Sequence, residues 1–238
     1  MRKNLSISVF FPCYNDAGSI GLLIKDAQET LEKVAKDWEI IVIDDGSTDE
    51  SRKLLKRLAS EIPRLKLVFH KENRGYGGAL RSGFGSASKK WVFYTDGDGQ
   101  YDVGEITKLI SQLKDHVDIV QGYKLKRHDP WYRQIVGPLY NQFVRLVFGI
   151  KTKDIDCDFR LIRKKALDAI TLHHNSGVIC VELVKKLQIK GFSFGEVGVH
   201  HFERLHGRSQ FFNFRRVSKT LIDLSKLWWS LVILKRYD

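Results

Sequence analysis

Paired carboxylates are the first chemistry visible in the sequence. Asp44 and Asp45 follow the apolar run EIIVI, and Asp96 and Asp98 follow WVFYT with one glycine between them. Two carboxylates one residue apart, in a turn loosened by Gly97 and Gly99, can both reach a hard divalent cation. Oxygen ligands completed by shared phosphates are what Mg²⁺ or Mn²⁺ prefers. Without a positive partner each pair costs stability through mutual repulsion. Turn chemistry and helix capping would account for one such cluster, since Asp and Gly are common after strands; two clusters at the ends of strand-like runs point to a ligand. A glycine-rich stretch, Asn73 to Ala79 (NRGYGGA), stands between a strand signal and a helix signal. Glycines there allow close backbone approach, and a helix N-terminus favours phosphate. The spacing is neither GxGxxG nor GxxxxGK[ST], so neither a dinucleotide site nor a P-loop is expected.

The elements that must hold these residues alternate. Ile7–Phe11 reads as a strand stopped by Pro12, and Ser19 or Asp16 can cap a helix with apolar residues at Ile20, Leu23, Ile24, Ala27, Leu31 and Val34. Strands are expected at Glu39–Ile43, Leu65–Phe69, Trp91–Thr95 and Val117–Gly122, and helices at Glu50–Ile62, Ala79–Ala87 and Val103–Leu113. Repeated units of this size predict an α/β fold with a mostly parallel sheet and helices on both faces. Beyond Gly122 the pattern changes: a basic loop over Lys124–Arg133, a helix at Tyr140–Phe148, an extended Ile155–Ile162, a helix at Val178–Leu187 and a strand at Phe192–Val199. In open α/β sheets ligands bind beyond the carboxyl ends of the strands, where the acidic clusters fall.

Composition narrows the partners. The 238 residues carry 40 Lys and Arg against 28 Asp and Glu, a formal charge of +12, which favours anionic ligands: nucleic acid, lipid headgroups or phosphorylated substrates. Eight basic residues against three acidic ones fall between Phe202 and Asp238. No recognition-helix or RNP-like pattern accompanies the charge, so nucleic acid is disfavoured. No apolar run approaches the roughly 18–20 residues that span a bilayer. Cys13, Cys157 and Cys180 are odd in number and widely spaced, which suits packing roles in a reducing compartment. His200, His201, Glu203 and His206 do not follow the zincin HExxH order, so zinc is not expected.

Six blocks in order resemble the family 2 glycosyltransferases of the GT-A fold, and among them the polyprenyl-phosphate sugar synthases of the dolichyl-phosphate mannose synthase kind. Phe11-Pro12-Cys13-Tyr14-Asn15 is similar to a strand-end P-x-Y-N-E, and VIDDGSTD (Val42–Asp49) to V-D-D-G-S-x-D. NRGYGGALRSGF resembles N-x-G-x-G-x-A-x-x-x-G, and Asp96-Gly97-Asp98-Gly99-Gln100 resembles D-x-D-x-Q. Asp154 to Leu161 (DIDCDFRL) resembles D-x-x-C-x-F-[KR]-L, and Arg204 to Ser209 (RLHGRS) resembles R-x-x-G-x-S. Departures are Asp16 for the usual Glu, Lys124 for a frequent Arg, and Gln210 for a frequent Lys.

The resemblance implies roles. Pro12, Tyr14, Asn15, Asp44, Asp45, Gly78 and Asp96 would bind the nucleotide-diphosphate sugar, a UDP- or GDP-hexose. Asp96, Asp98 and Gln100 would hold Mg²⁺ or Mn²⁺, with Asp98 central to catalysis and Asp154 and Asp156 as carboxylates on the acceptor side. Lys124, Arg133, Arg160, Arg204, Arg208 and Ser209 would meet the phosphate of a polyprenyl acceptor, Arg being suited to bidentate contact. An alcohol acceptor would need a carboxylate base, whereas a phosphate acceptor is already an anion and needs cations. The expectation is an inverting, metal-dependent hexosyltransferase at the cytosolic membrane face. A relative acting on a saccharide or lipid hydroxyl is the alternative, with a basic nucleic-acid-binding module or a catalytically silent scaffold more remote.

Two units are expected: a catalytic domain over 1–212 and an amphipathic helix over 213–238. In the latter, Leu221, Leu224, Trp228, Leu231 and Val232 fall near one side with Lys219, Lys226, Lys235 and Arg236 flanking. Paired Trp228-Trp229 and the bases suit a helix lying in the headgroup layer. The same pattern also suits packing on the domain or in a homo-oligomer.

Overall fold

The computed structural model describes residues 3–125, 131–204 and 214–237. Its first half runs β1 (Lys3–Cys13), α1 (Ile20–Val34), β2 (Ala35–Asp44), α2 (Ser51–Glu61), β3 (Leu65–Phe69), α3 (Tyr76–Ser86) and β4 (Trp91–Thr95). A 3₁₀ turn at Val103–Glu105 leads into α4 (Ile106–Ser111) and β5 (Ile119–Lys124). Then come α5 (Trp131–Phe148), β6 (Phe159–Arg163), α6 (Lys164–Asp168), α7 (Ile179–Ile189), β7 (Phe194–Val199) and α8 (Phe214–Trp228), which ends in a π turn at Trp229–Ile233.

The seven strands form one sheet in the order β3-β2-β1-β4-β6-β5-β7. All pairings are parallel except those of β6, which runs antiparallel to both β4 and β5. Strand alternation sorts the core into two layers. Val9, Phe11, Ile40, Val42 and Phe93 face α1, α2 and α4, while Phe10, Ile41, Ile43, Val92 and Tyr94 face α3, α5, α7 and α8. Burial on both faces explains why EIIVI reads as an unbroken apolar run. Gly83 is required here: a Cβ would stand 2.3 Å from the Phe10 ring, which packs against Phe84 and Tyr94.

Strand order reverses at β1, with β2 and β3 laid on one side of it and β4 on the other, and a crevice at such a switch point is where open α/β sheets hold ligands. β1 continues through Pro12 rather than stopping before it. Its pairing with β4 covers only Ile7 to Phe10, so the missing proline N–H falls beyond the last β1–β4 pair. α1 also starts differently from expectation. Ser19 makes no side-chain cap; its hydroxyl donates to the Gly97 carbonyl at 2.8 Å and ties the helix to the Asp96–Gln100 turn. The extended segment expected from Ile155 is a strand only from Phe159, because Asn141 of α5 holds the preceding residues through the Lys153 carbonyl (2.7 Å) and the Ile155 N–H (3.1 Å).

The C-terminal helix departs from its expected orientation. Leu224, Leu227 and Leu231 are buried in the second core layer, and the Trp228 indole donates to the Val147 carbonyl at 3.1 Å. Much of the stripe assigned to lipid from the sequence therefore packs on the protein. The apolar residues left outside are Leu221, Ile222, Trp229, Ile233 and Leu234. The expected boundary at 212/213 lies outside the described residues.

Candidate active site

Three strand ends converge at the switch point. After β1, Asn15 adopts a left-handed backbone (φ 58°), and its side-chain Oδ1 accepts from the Thr48 (2.8 Å) and Asp49 (3.3 Å) N–H groups. The Asn15 N–H donates to Ser47 Oγ at 3.0 Å, so the Tyr14-Asn15 and Asp44–Asp49 segments are stitched into one wall. Pro12 is buried beside the Asp96–Gln100 turn, where a Cβ on Gly97 would stand 2.4 Å from the Pro12 carbonyl.

After β2, both aspartates are buried and partnered. Asp44 Oδ2 accepts from Arg52 Nε at 2.5 Å, and Asp45 Oδ1 accepts from His70 Nδ1 at 2.6 Å and from the Arg74 N–H at 2.8 Å. Arg52 and His70 carried no motif, and only the positive charge and imidazole beside a DD pair could have hinted at them.

After β4 stands Asp96-Gly97-Asp98. Asp96 Oδ1 accepts from the Tyr76 hydroxyl at 2.7 Å. Burial drives its pKa well above the usual carboxylate range, reinforced by the negative charges of Asp158 and Asp98. Burial raises Asp98 as well, opposed by Arg204, whose Nη2 lies 3.5 Å from Asp98 Oδ2 and 3.2 Å from Asp16 Oδ1. Arg204 thus bridges the ends of β1 and β4. Gln100 points its amide to the Phe202 carbonyl (3.0 Å), and the Phe202 N–H returns to the Gln100 carbonyl (2.8 Å). That places Gln100 as the clasp holding the Arg204 segment over the turn.

The glycine-rich stretch is corrected by the structure. A Cβ on Gly75 would meet the Asn175 carbonyl at 2.6 Å, and one on Gly77 the His174 carbonyl at 2.2 Å. The Gly77 N–H donates to Asn175 at 2.9 Å. The first turn of α3, expected to approach phosphate, is covered by the 173–175 loop. Gly78 is buried, and a Cβ there would stand 2.6 Å from Arg74 Cβ, so the glycine makes room for that side chain. Glu182 anchors that loop by accepting from the His173 and His174 N–H groups. Burial acts to raise its pKa, but these donors and the His174 ring win and hold it at about 2.

The acceptor-side candidates divide. Arg160 is fully buried: its guanidinium donates to Gln121 (3.2 Å), Asp158 (2.7 Å), the Tyr94 hydroxyl and the Ile155 carbonyl. Its expected phosphate contact is therefore corrected to a structural one. Asp158, which the sequence motif gives no role, also accepts from Tyr94 and Cys180 and adds negative charge to the surroundings of Asp96. Lys124 donates through Nζ to the Asp156 carbonyl at 3.0 Å and lines a cavity of about 370 Å³ with Arg145, Lys153, Asn141, Gln142 and Asp154. Asp154 is buried, its carboxylate facing the Asp156 N–H (3.2 Å) and, more distantly, the Lys124 N–H (3.4 Å). Arg133 falls in α5 with its side chain outside the described part, and Arg208 and Ser209 lie outside the described residues.

Relatives agree with this architecture. The family model for glycosyl transferase family 2 matches residues 8–171. The undecaprenyl-phosphate 4-deoxy-4-formamido-L-arabinose transferase of Enterobacter sp. (strain 638) is 31% identical over 220 residues, 92% of this chain and 66% of that protein. The chain therefore spans just under two thirds of that relative. Glucosyl-3-phosphoglycerate synthase from Mycobacterium tuberculosis, solved with Mn²⁺, UDP and phosphoglyceric acid, superposes with a TM-score of 0.71 at 16% identity, over 95% of this chain and 78% of that one. The same enzyme with Mg²⁺ and UDP gives 0.69 at 14%, over 95% and 79%. The structural likeness is one of fold, the GT-A fold. With a family model spanning more than half its length, the chain belongs to glycosyl transferase family 2.

Proposed function

We propose that the chain moves a hexose from a UDP- or GDP-sugar to polyprenyl phosphate with the help of Mg²⁺ or Mn²⁺, in an inverting single displacement at the inner face of the membrane. The observation that carries the reading is a juxtaposition across Lys124. On one side stand Asp96 and Asp98, whose ionised forms its charge favours; on the other lies the cavity it shares with Arg145 and Lys153. Carboxylates bind the metal of a diphosphate, and a basic cavity receives a second phosphate.

The donor set fits the cation. Asp96 and Asp98 offer hard oxygens; burial raises the pKa of both, and the charge of Asp98 adds to that on Asp96, whereas Arg204 offsets part of it at Asp98. Mg²⁺ commonly takes one or two carboxylates and completes its shell with substrate phosphates and water. Bound there, the metal would neutralise the leaving diphosphate. The chain's own residues do the rest. Lys124, Arg145 and Lys153 bring an anionic acceptor against an anionic donor, and Arg204 screens Asp98 and Asp16 until the donor arrives. A bond forms between the acceptor phosphate oxygen and the anomeric carbon as the anomeric carbon–diphosphate bond breaks, releasing the nucleoside diphosphate. The curated relative's name, an undecaprenyl-phosphate sugar transferase, supports the acceptor class.

The test is a panel of UDP- and GDP-hexoses with Mn²⁺ and undecaprenyl phosphate, reading the lipid product by mass spectrometry. A sugar phospholipid is expected, together with stabilisation by the preferred nucleoside diphosphate in thermal melts. Transfer to a saccharide hydroxyl but never to the lipid phosphate would overturn the acceptor.

Membrane contact has a surface to use. α5 exposes Val136, Leu139, Phe143 and Leu146 along one stripe, and the π turn beside it exposes Trp229 and Ile233. Arg133 and Arg145 belong to α5, and Lys226, Lys235 and Arg236 flank the π turn. No helix among the described residues is long and apolar enough to cross a membrane. Each base near anionic lipid contributes about 1 kcal/mol, and the apolar stripe adds burial. Full chain should co-sediment with anionic vesicles at low salt, and Leu139→Glu/Leu146→Glu/Trp229→Glu should not. These side chains are exposed, so the triple variant leaves the core alone, unlike deletion of α8. Equal sedimentation of both proteins would remove this surface as the anchor.

A further inference from the structure

His70 is tied to both aspartates that end β2. Its backbone N–H donates to the Asp44 carbonyl at 2.9 Å. Its carbonyl accepts from Arg52 Nη2 at 2.5 Å, and Nε of the same arginine holds the Asp44 carboxylate. Its ring lies 2.6 Å from Asp45 Oδ1 through Nδ1 and 2.8 Å from Ser82 Oγ through Nε2. The imidazole is buried, as is Asp45. A carboxylate can only accept, so Nδ1 carries the proton, while the serine hydroxyl at Nε2 can donate or accept. Ser82 sits on α3, the helix that the 173–175 loop clamps. The chain of hydrogen bonds therefore runs from the end of β2, across the residue after β3, to a fixed helix.

The same order of groups could activate a serine nucleophile. Ser82, however, stands in the middle of α3, where backbone N–H groups are committed to helical bonds and cannot serve as oxyanion donors. What the arrangement does fix is Asp45. One oxygen takes both the histidine and the Arg74 N–H, while Oδ2 has no partner among the described residues.

The geometry points to a positioning role for the Ser82–His70 pair: it holds the Asp45 carboxylate turned so that Oδ2 meets the nucleobase of the donor. Such a carboxylate selects bases that offer a ring N–H. Uracil N3–H and guanine N1–H donate to it, whereas cytosine N3 and adenine N1 are acceptors and meet its lone pairs. The donor is then a uracil or guanine nucleotide because of a histidine that never touches it. This rests on the sugar-nucleotide reading above.

The experiment measures the affinity of UDP, GDP, CDP and ADP with Mn²⁺ for the full chain by calorimetry, in wild type, His70→Ala, His70→Asn and Ser82→Ala. Wild type is expected to prefer UDP or GDP. His70→Ala should lose about tenfold in affinity for that nucleotide, the scale of a hydrogen bond to a charged group, and its preference over CDP and ADP should narrow. His70→Asn, whose amide N–H can replace Nδ1–H, should recover most of the loss. In turnover the change should appear in KM for the donor sugar rather than in kcat. Ser82→Ala, at a half-buried site, should narrow the preference less, and it carries the test if His70→Ala does not fold. An unchanged base preference in the folded variants, an equal loss for all four nucleotides, or no rescue by asparagine would overturn the role. Wild type that binds without base preference overturns it alone; wild type that binds none of the four removes the sugar-nucleotide reading and this inference together.

Discussion

Asp98→Ala is expected to lower sugar transfer by on the order of a thousandfold, the scale seen when one preorganised group facing transition-state charge is removed. The fold should survive. Asp98 is half-buried at a strand end, and its removal relieves the repulsion that raises Asp96. Arg204 keeps Asp16 at 3.2 Å as a partner. A change of about 0.5 kcal/mol, as at an ordinary surface site, would move the melting temperature by about 2 °C or less in a chain of this size. Two readouts separate the roles: product formation, and the dependence of nucleoside-diphosphate binding on Mn²⁺. Both should fall in the variant. Retained turnover, or wild-type nucleotide binding equally tight with and without divalent cation, would remove Asp98 from the metal.

The parts of this site that were legible in the sequence are those set by local pattern. Leu65–Phe69 and Trp91–Thr95 match their strands residue for residue, because short apolar runs between turn signals have few other places to go. The convergence of Asp44, Asp45, Asp96 and Asp98 followed from parallel strands that share a carboxyl end. What stayed hidden depends on partners distant in the chain. Gly75 and Gly77 look like a phosphate cradle until the 173–175 loop, about 100 residues later, is laid on them. His70 belongs to no motif, since its meaning comes from Asp45 and Ser82 on two other elements. The outer stripe of α5 is hidden for another reason: the apolar spacing signals a helix only from Tyr140, and Val136 and Leu139 lie ahead of it.

Arg160 makes the same point with a large energy attached. Read from its motif, an arginine beside an acidic cluster is a phosphate ligand; in the fold it is 0% exposed and faces Tyr94 of β4, Gln121 of β5 and the Ile155 carbonyl. Its charge is balanced by Asp158 at 2.7 Å. Arg160→Met keeps the volume but strands a largely buried carboxylate, and breaking such a pair from one side costs about 3–5 kcal/mol. At roughly 2–4 °C per kcal/mol, the melting temperature should fall by on the order of 10 °C. Adding Asp158→Asn to the same chain removes the stranded charge, and the double variant should recover a large part of the stability. Activity should not follow it. Asp158 contributes to the negative field that raises Asp96, and without it that carboxylate's demand for a cation weakens. A double variant that regains stability yet binds metal and nucleotide less tightly is the expected result. If Arg160→Met instead kept its melting temperature and lost only the polyprenyl-phosphate step, the arginine would have to leave the core to meet the acceptor, and the burial argument would be wrong.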